Sequence, residues 1–437
     1  MKAALLCLRA WFEGVAGKPG LSTLVLLGAV LLPRLGWFFW LGGELPLPVQ
    51  DQGLYVRAAS AVAAGRGLSF SRDVAAAKSG RAEGGALAEG WVENPDYAFG
   101  LAPVDTPSAV MEPGYPVLLG LSFILFGGTT GAVWFVNLAF SIIGAFAVKG
   151  LLGRFGEGAS LAGALMWALY PPFVFYTAFA MTETVHAALL ALCCALLFRP
   201  GATPRGAFIA GLGLGAFFLF RATGLLLLPL ASVYIGIRSW KLQLFLALGF
   251  ALAVSPWVVR NQLVLGEPVF LPTKGSLNLW MRNHPDVLLE EGIRVPGSIP
   301  VNRRDLLVYP SYEDFPGEVE RSRELGRSAR EFMAANPRLM LWLTLQRAAH
   351  FLSPGGSTLG RSAFWAGLVF LLPILILGTA GIAREFRQPE TRFLAGVFII
   401  YFLMHTMTHG GTRYRLPADM VFICGAAMFL FRKRKPT

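Results

Sequence analysis

The chain has 437 residues, of which 55% are hydrophobic and only 15% charged, with a mean hydropathy of +0.56 and a net charge of +12. Soluble domains run at about 45–50% apolar and about 25% charged. The composition therefore excludes a soluble enzyme, a disordered protein and a nucleic-acid-binding domain, in spite of the basic balance. The apolar residues fall in blocks of about 15–23, the length that crosses a bilayer core as a helix, and the chain reads as an all-α polytopic membrane protein.

Residues 1–20 form a short cytoplasmic segment. The first apolar block, 21–43, carries Pro33 and Arg34 and has no clean A-x-A cleavage site, so it is expected to be an uncleaved anchor. An arginine at mid-helix costs about 2.5–3.5 kcal/mol on insertion scales. Arg34 must therefore face protein or water, pairing with an acid such as Glu183 or sitting near the outer interface. Ten spans thread the chain, at about 21–42, 130–151, 158–179, 183–198, 206–220, 222–237, 242–258, 362–383, 393–410 and 416–431. The regions that follow are 21–258 with an outer loop 43–112, a second outer loop 259–361, and a C-terminal membrane region 362–437 ending in a basic cytoplasmic tail.

The inner segments of this threading carry 16 Lys and Arg against 4 Glu, which leaves the outer segments balanced. That is the asymmetry of the positive-inside rule, and it places both termini in the cytoplasm. Two further apolar stretches, 113–126 and 337–352, are short or interrupted by Arg347 and His350; they are expected as helices lying at the outer surface. The segment 318–335 reads as a charged, solvated helix. Of the cysteines Cys7, Cys193, Cys194 and Cys424, none falls in the long outer loops, so packing is their expected role.

No Walker motif, Gly-rich phosphate loop or H-E-x-x-H occurs, which removes support for ATP-driven transport and zincin proteolysis. Asp51 stands just beyond the first span, where it is either the N-cap of a helix 52–64 or a catalytic base. Glu183 and His186 share a helix face by their i, i+3 spacing. They are a helix-start carboxylate with its neighbour, or a substrate-orienting pair. Either this pair or His405 with His409 could contribute to a divalent metal site, but two ligands are too few to define one. No metal or other cofactor is required.

The stretch D-x-x-x-Y-x-x-x-A-x-x-x-x-x-G-x-G from Asp51 resembles the opening loop of the polyprenyl-phosphate-sugar-dependent glycosyltransferases of the GT-C fold. These include bacterial relatives of protein O-mannosyltransferases and the lipid A aminoarabinose transferases. Further fragments agree in order: Glu112-Pro-Gly-Tyr-Pro116, Thr182-Glu183, Phe220-Arg221, Pro256-Trp-Val-Val-Arg260-Asn261 leading to Gly275-Ser-Leu-Asn278-Leu-Trp280, and Arg413-Tyr-Arg415-Leu-Pro417. The resemblance implies a GT-C-like bundle in the bacterial inner membrane with its active site on the periplasmic face. It implies transfer of a sugar from a polyprenyl-phosphate carrier to a glycolipid, glycan or protein acceptor, with inversion. Asp51 would be the base and Glu183 its assistant. Arg413 and Arg415, with Arg260 and Arg221, would hold the donor phosphate. Tyr55, Glu112, Tyr115, His186, Asn278, Trp280 and Asn283 would contact substrate. The chain departs from the pattern where Gln52 follows Asp51, since many members have an acidic pair there. The stretch 69–106 also looks inserted and is expected to set acceptor choice. The rival readings are an O-antigen ligase or polymerase, which relies on arginines and a histidine, and a flippase for lipid-linked sugars.

Overall fold

The computed structural model describes residues 2–45, 51–70, 106–127, 129–199, 201, 203–284, 314–354 and 360–432. Most of the inserted stretch expected to choose the acceptor, part of the second outer loop and the end of the basic tail lie outside them. Among the described residues the only β pairing is an isolated bridge between Ser69 and Pro107. The rest is helical: α1 (Lys2–Ala16), α2 (Pro19–Trp40), α3 (Asp51–Ala63), α4 (Gly114–Phe126), α5 (Thr129–Leu152), α6 (Glu157–Ala168), α7 (Pro171–Phe175), α8 (Glu183–Leu197), α9 (Pro204–Phe220) and α10 (Thr223–Gly236). After these come α11 (Trp240–Leu265), α12 (Lys274–Arg282), α13 (Glu318–Ala335), α14 (Pro337–Leu352), α15 (Gly360–Arg384), α16 (Pro389–Thr406), α17 (Thr412–Arg415) and α18 (Asp419–Phe431).

Helix occupies each of the ten stretches expected to span. By length and composition five helical segments of the described residues can cross a bilayer, or six if the bent pair α6–α7 counts as one. Four more, α4, α8, α9 and α10, are apolar but only 13, 15, 17 and 14 residues long. Large apolar side chains face outward in stripes, as Leu24, Leu32 and Phe39 do on α2 and Leu248, Leu252 and Leu263 on α11. Exposed apolar surface on this scale marks contact with another apolar phase. Inside, Trp167, Tyr170, Phe173, Phe217 and Phe218 are almost wholly buried. The protein is an all-helical, multi-pass membrane protein.

Two helix pairs pack at backbone contact. On α15 and α18, Gly378, Gly381 and Gly425 face one another, and a Cβ at Gly381 or Gly425 would collide with the opposing backbone. On α9 and α11 the same holds for Gly211 and Gly249. In lipid, where apolar burial does not drive helices together, such close approach supplies the dispersion contact that does.

Arg34 is fully buried on α2, and its partners are not acidic. Its Nε donates to Ser141 Oγ at 3.0 Å, and its Nη1 to the carbonyls of Val30 at 3.0 Å and Ala168 at 2.8 Å. Pro171 and Pro172 break the third span, bending α6 against α7 by 49°. The carbonyl of Ala168 is thereby left without a helical partner, and Arg34 caps it. The expected pairing with Glu183 does not occur. All four cysteines are free thiols, three of them buried in helices.

Opposite charges meet at the end of the bundle formed by the start of α6, the start of α16 and the end of α18. There Arg154 pairs with Glu390 and Arg432 with Glu385, while Lys149 Nζ donates to Ser22 Oγ at 2.8 Å. The helix ends that carry Asp51, Glu183, Arg221 and Arg413 are at the other end.

Gly425→Leu is expected to force α15 and α18 apart and to cost about 1–3 kcal/mol, the usual range for overpacking. A lowered thermal unfolding midpoint in detergent checks this; an unchanged midpoint would show that the helices can separate freely.

Candidate active site

A cavity enclosing about 1540 Å³, its open mouth included, lies among the ends of α3, α9, α10, α12, α16 and α17. Its polar lining is Asp51, Tyr55, Glu112, Arg221, Thr223, Lys274, Asn278, Arg282, His405, Thr408, His409, Arg413 and Tyr414, and Met111, Leu271, Met281 and Met404 supply apolar wall.

Asp51 opens α3, which packs along α4 through Tyr55 and Tyr115, their rings edge-to-face at 5.1 Å. Both oxygens of Asp51 meet cations. Lys274 Nζ is 2.8 Å from Oδ1 and Arg413 Nη2 is 3.2 Å from Oδ2. The Asp51 side chain keeps 22% of its surface exposed, enough to reach a ligand in the cavity. Lys274, joined by Arg413 and opposed by burial, holds the Asp51 carboxyl well below the usual carboxylate range. Burial pushes the Tyr55 hydroxyl up to about 12, so it stays a donor.

Arg413 is shared. Its Nε pairs with Glu183, the first residue of α8, whose side chain is completely buried. Glu183 does not line the cavity; it braces Arg413 from behind. Tyr414 lies between Arg413 and Arg221, whose guanidinium carbons stand 5.6 and 5.9 Å from its ring centre. The same ring stacks on His405 at 5.0 Å and lies 4.9 Å from His409. Arg221 Nη1 donates to Thr182 Oγ1 at 3.1 Å.

The loop walls are fixed by buried polar groups. Glu318 Oε1 accepts from the Ala109 backbone at 2.9 Å and from Thr273 Oγ1 at 2.7 Å. The backbone amides of Thr273 and Lys274 donate to the carbonyls of Ala109 and Val110 at 3.0 and 3.1 Å. Glu112 Oε1 accepts from the Ala222 amide at 2.9 Å. Together these bonds tie the first outer loop to the second and aim Glu112 and Lys274 at one space.

Of the residues expected in the site, Asp51, Tyr55, Glu112, Arg221, Asn278 and Arg413 line the cavity. The others sit elsewhere. Arg415 is buried, pairs with Asp419 at 2.7 Å and donates to the carbonyls of Phe351 and Ser353 at 2.7 and 2.8 Å. It closes the C-terminus of α14 and is not available to a phosphate in the cavity. Arg260 donates to the carbonyls of Ser108 at 2.9 Å and Leu68 at 2.8 Å, holding the first outer loop. Tyr115 is fully buried behind Tyr55. His186 points into the bundle at Tyr401 and Thr223, away from Glu183, so the two do not converge on a ligand. Trp280 stacks on His284 at 4.5 Å, and Asn283 is buried, donating to Leu279 and Met407 carbonyls at 2.8 and 3.3 Å. Among the described residues no three His, Cys, Asp or Glu side chains come together as a metal site.

No protein-family model matches the chain, and no curated protein matches it. Among solved structures it is similar to ArnT from Cupriavidus metallidurans, crystallised with undecaprenyl phosphate and in the apo state. With the first it shares 16% identity and a TM-score of 0.41, over 94% of this chain and 77% of that one. With the second it shares 18% identity and a TM-score of 0.38, over 93% and 77%.

Sequence reasoning missed Lys274 and Arg282 in the cavity wall, and read His405 and His409 only as a metal or interface pair. Lys274 directly precedes the Gly275–Trp280 stretch already singled out, and its place at the start of an amphipathic nine-residue helix was the available signal. No sequence pattern marks Arg282.

Two outcomes follow from this geometry. Arg415→Met leaves Asp419, and Arg413→Gln leaves Glu183, buried without its cation, so each is expected to destabilise the protein by about 3–5 kcal/mol; thermal unfolding in detergent checks this, and an unchanged midpoint in either variant would contradict the pairing it removes. Asp51 has a lowered carboxyl pKa in the folded protein, so its ion pairs stabilise fully above the ordinary carboxylate range, near pH 4. That contribution is lost as pH falls further, toward the folded-state value. Asp51→Asn should therefore be less stable than the parent at pH 7, with the gap closing under strongly acidic conditions. A gap that stays constant with pH would contradict the ion pairing.

Proposed function

We propose that this protein is a membrane glycosyltransferase that moves a sugar from a polyprenyl-phosphate carrier to an acceptor on the periplasmic face of a bacterial inner membrane. The acceptor is a glycolipid, a glycan or a protein. The observation that carries the reading is the carboxylate of Asp51 set between Lys274 and Arg413 in a cavity that also presents Glu112, Arg221 and Arg282.

Each part answers a need of the reaction. A hydroxyl or amine acceptor must lose a proton as it attacks the anomeric carbon, and a carboxylate within hydrogen-bond reach takes it. The leaving group is a phosphate, which needs fixed positive charge against its oxygens more than it needs a proton. Guanidinium groups supply that charge through paired donors, and Lys274 adds a compact point charge. One displacement at carbon inverts its configuration. The charged groups gather at one end of the bundle rather than along a path through it, which supports transfer over flipping of an intact lipid.

Asp51→Asn is expected to keep the protein folded at neutral pH and to lower transfer by about 10²–10⁴-fold, the usual worth of a positioned base. The assay is release of carrier phosphate from a labelled polyprenyl-phosphate sugar. His409 in the same cavity gives the ligase-type reading a specific footing, with a histidine as the base. Full activity in Asp51→Asn together with its loss in His409→Asn would establish that rival instead.

A further inference from the structure

The reading of Asp51 as the proton acceptor, on which this inference rests, meets a difficulty in the structure itself. A carboxylate whose two oxygens both face cations accepts a proton poorly, because each cation favours the charged form. Lys274 and Arg413, which hold Asp51 at 2.8 and 3.2 Å, are themselves cavity-lining groups. They are thus donors that a phosphate in the cavity would also seek.

The two cations are built to change partners. Arg413 is anchored through its Nε to Glu183, which is completely buried and keeps a second oxygen without a hydrogen-bond partner. The Nη2 of Arg413 is the edge turned to Asp51. Arg413 can therefore leave Asp51 without leaving its place. Lys274 has its backbone amide fixed to Val110 and its neighbour Thr273 fixed to Glu318, while the ammonium rides on a flexible four-carbon stem.

We propose that the donor phosphate and Asp51 compete for Lys274 and Arg413, so that entry of the donor releases Asp51 to act as a base. The donor is a phosphodiester with one negative charge. The departing carrier is a monoester with about −1.5 to −2 at pH 7, so the pull on the two cations grows as the sugar–phosphate bond breaks. The acceptor proton passes to an Asp51 oxygen as the acceptor oxygen or nitrogen bonds to the anomeric carbon. The electron pair of the broken carbon–oxygen bond leaves with the phosphate, held by Lys274 and Arg413. When the carrier departs, the cations return to Asp51 and drive its proton to solvent. Donor binding thus comes before acceptor deprotonation, and an acceptor alone finds no competent base.

Binding of polyprenyl monophosphate to the purified protein in nanodiscs tests this. Neutral replacements, Asp51→Asn and Asp51→Ser, remove the competitor. They should bind about tenfold more tightly than the parent, the scale of one charge-assisted hydrogen bond released, while losing transfer. Lys274→Met should bind more weakly, and in Asp51→Asn/Lys274→Met most of the gain should vanish. Mere relief of charge repulsion would persist in that double variant and would contradict competition for a shared cation. Two neutral variants that elute monodisperse, unfold cooperatively and bind no better than the parent overturn the inference and leave the proposed function standing. Failure of the parent and every variant to bind the lipid overturns the proposed function itself.

Discussion

One guanidinium organises the candidate site. Arg413 faces a buried carboxylate, Glu183, on one side and a cavity carboxylate, Asp51, on the other. A guanidinium withdrawn in part from water requires compensation, since desolvation of an unpaired ion is costly. Glu183 provides it from a wholly buried position at the start of α8, which leaves the cavity-facing edge of Arg413 able to serve a second anion. The short α17 that carries Arg413, the turn before it and the ends of α8 and α16 are all arranged around this one bridge.

The fold spends other arginines on structure. Arg415 closes the end of α14, Arg260 holds the first outer loop by the carbonyls of Leu68 and Ser108, and Arg34 caps the carbonyl exposed by the break before Pro171. Arg347 donates to the carbonyl of Arg282 at 2.5 Å, next to the turn at Gly410. Gly410 has φ +61°, and a side chain there would collide with Arg347, so both the backbone conformation and the space call for glycine. In an apolar bundle, loops that would otherwise stray are fixed where a guanidinium satisfies several carbonyls at once. The two arginines of Arg413-Tyr-Arg415 therefore have opposite duties, although only one residue separates them.

That pair also shows where sequence reading stops. The helical segments were legible because apolar block length is set by the bilayer, and short α9 and α10 were found as readily as long α11. Asp51 was legible as an acid just beyond the first span, and Arg221 and Arg413 as cations at helix ends. Arg415 and Arg260 were not, because an arginine at a membrane interface looks the same whether it faces a cavity or a row of carbonyls. Arg413 and Arg415 were expected to act together, but α17 is a helical turn, and its geometry sends them apart. Lys274 and Arg282 escaped because their place in the cavity wall depends on Glu318 and Thr273 joining the second outer loop to Ala109 of the first, a contact of high sequence separation that no local pattern encodes.

The central claim is that a phosphate carried on an isoprenoid tail sits beside Asp51. A cryo-EM structure of the protein in nanodiscs with polyprenyl phosphate tests it most directly. The account predicts phosphate density within hydrogen-bond reach of Lys274 and Arg413, with the tail leaving along the apolar wall. Phosphate density at the opposite end of the bundle, beside Arg154 and Arg432, with the Asp51 ion pairs untouched, would contradict it.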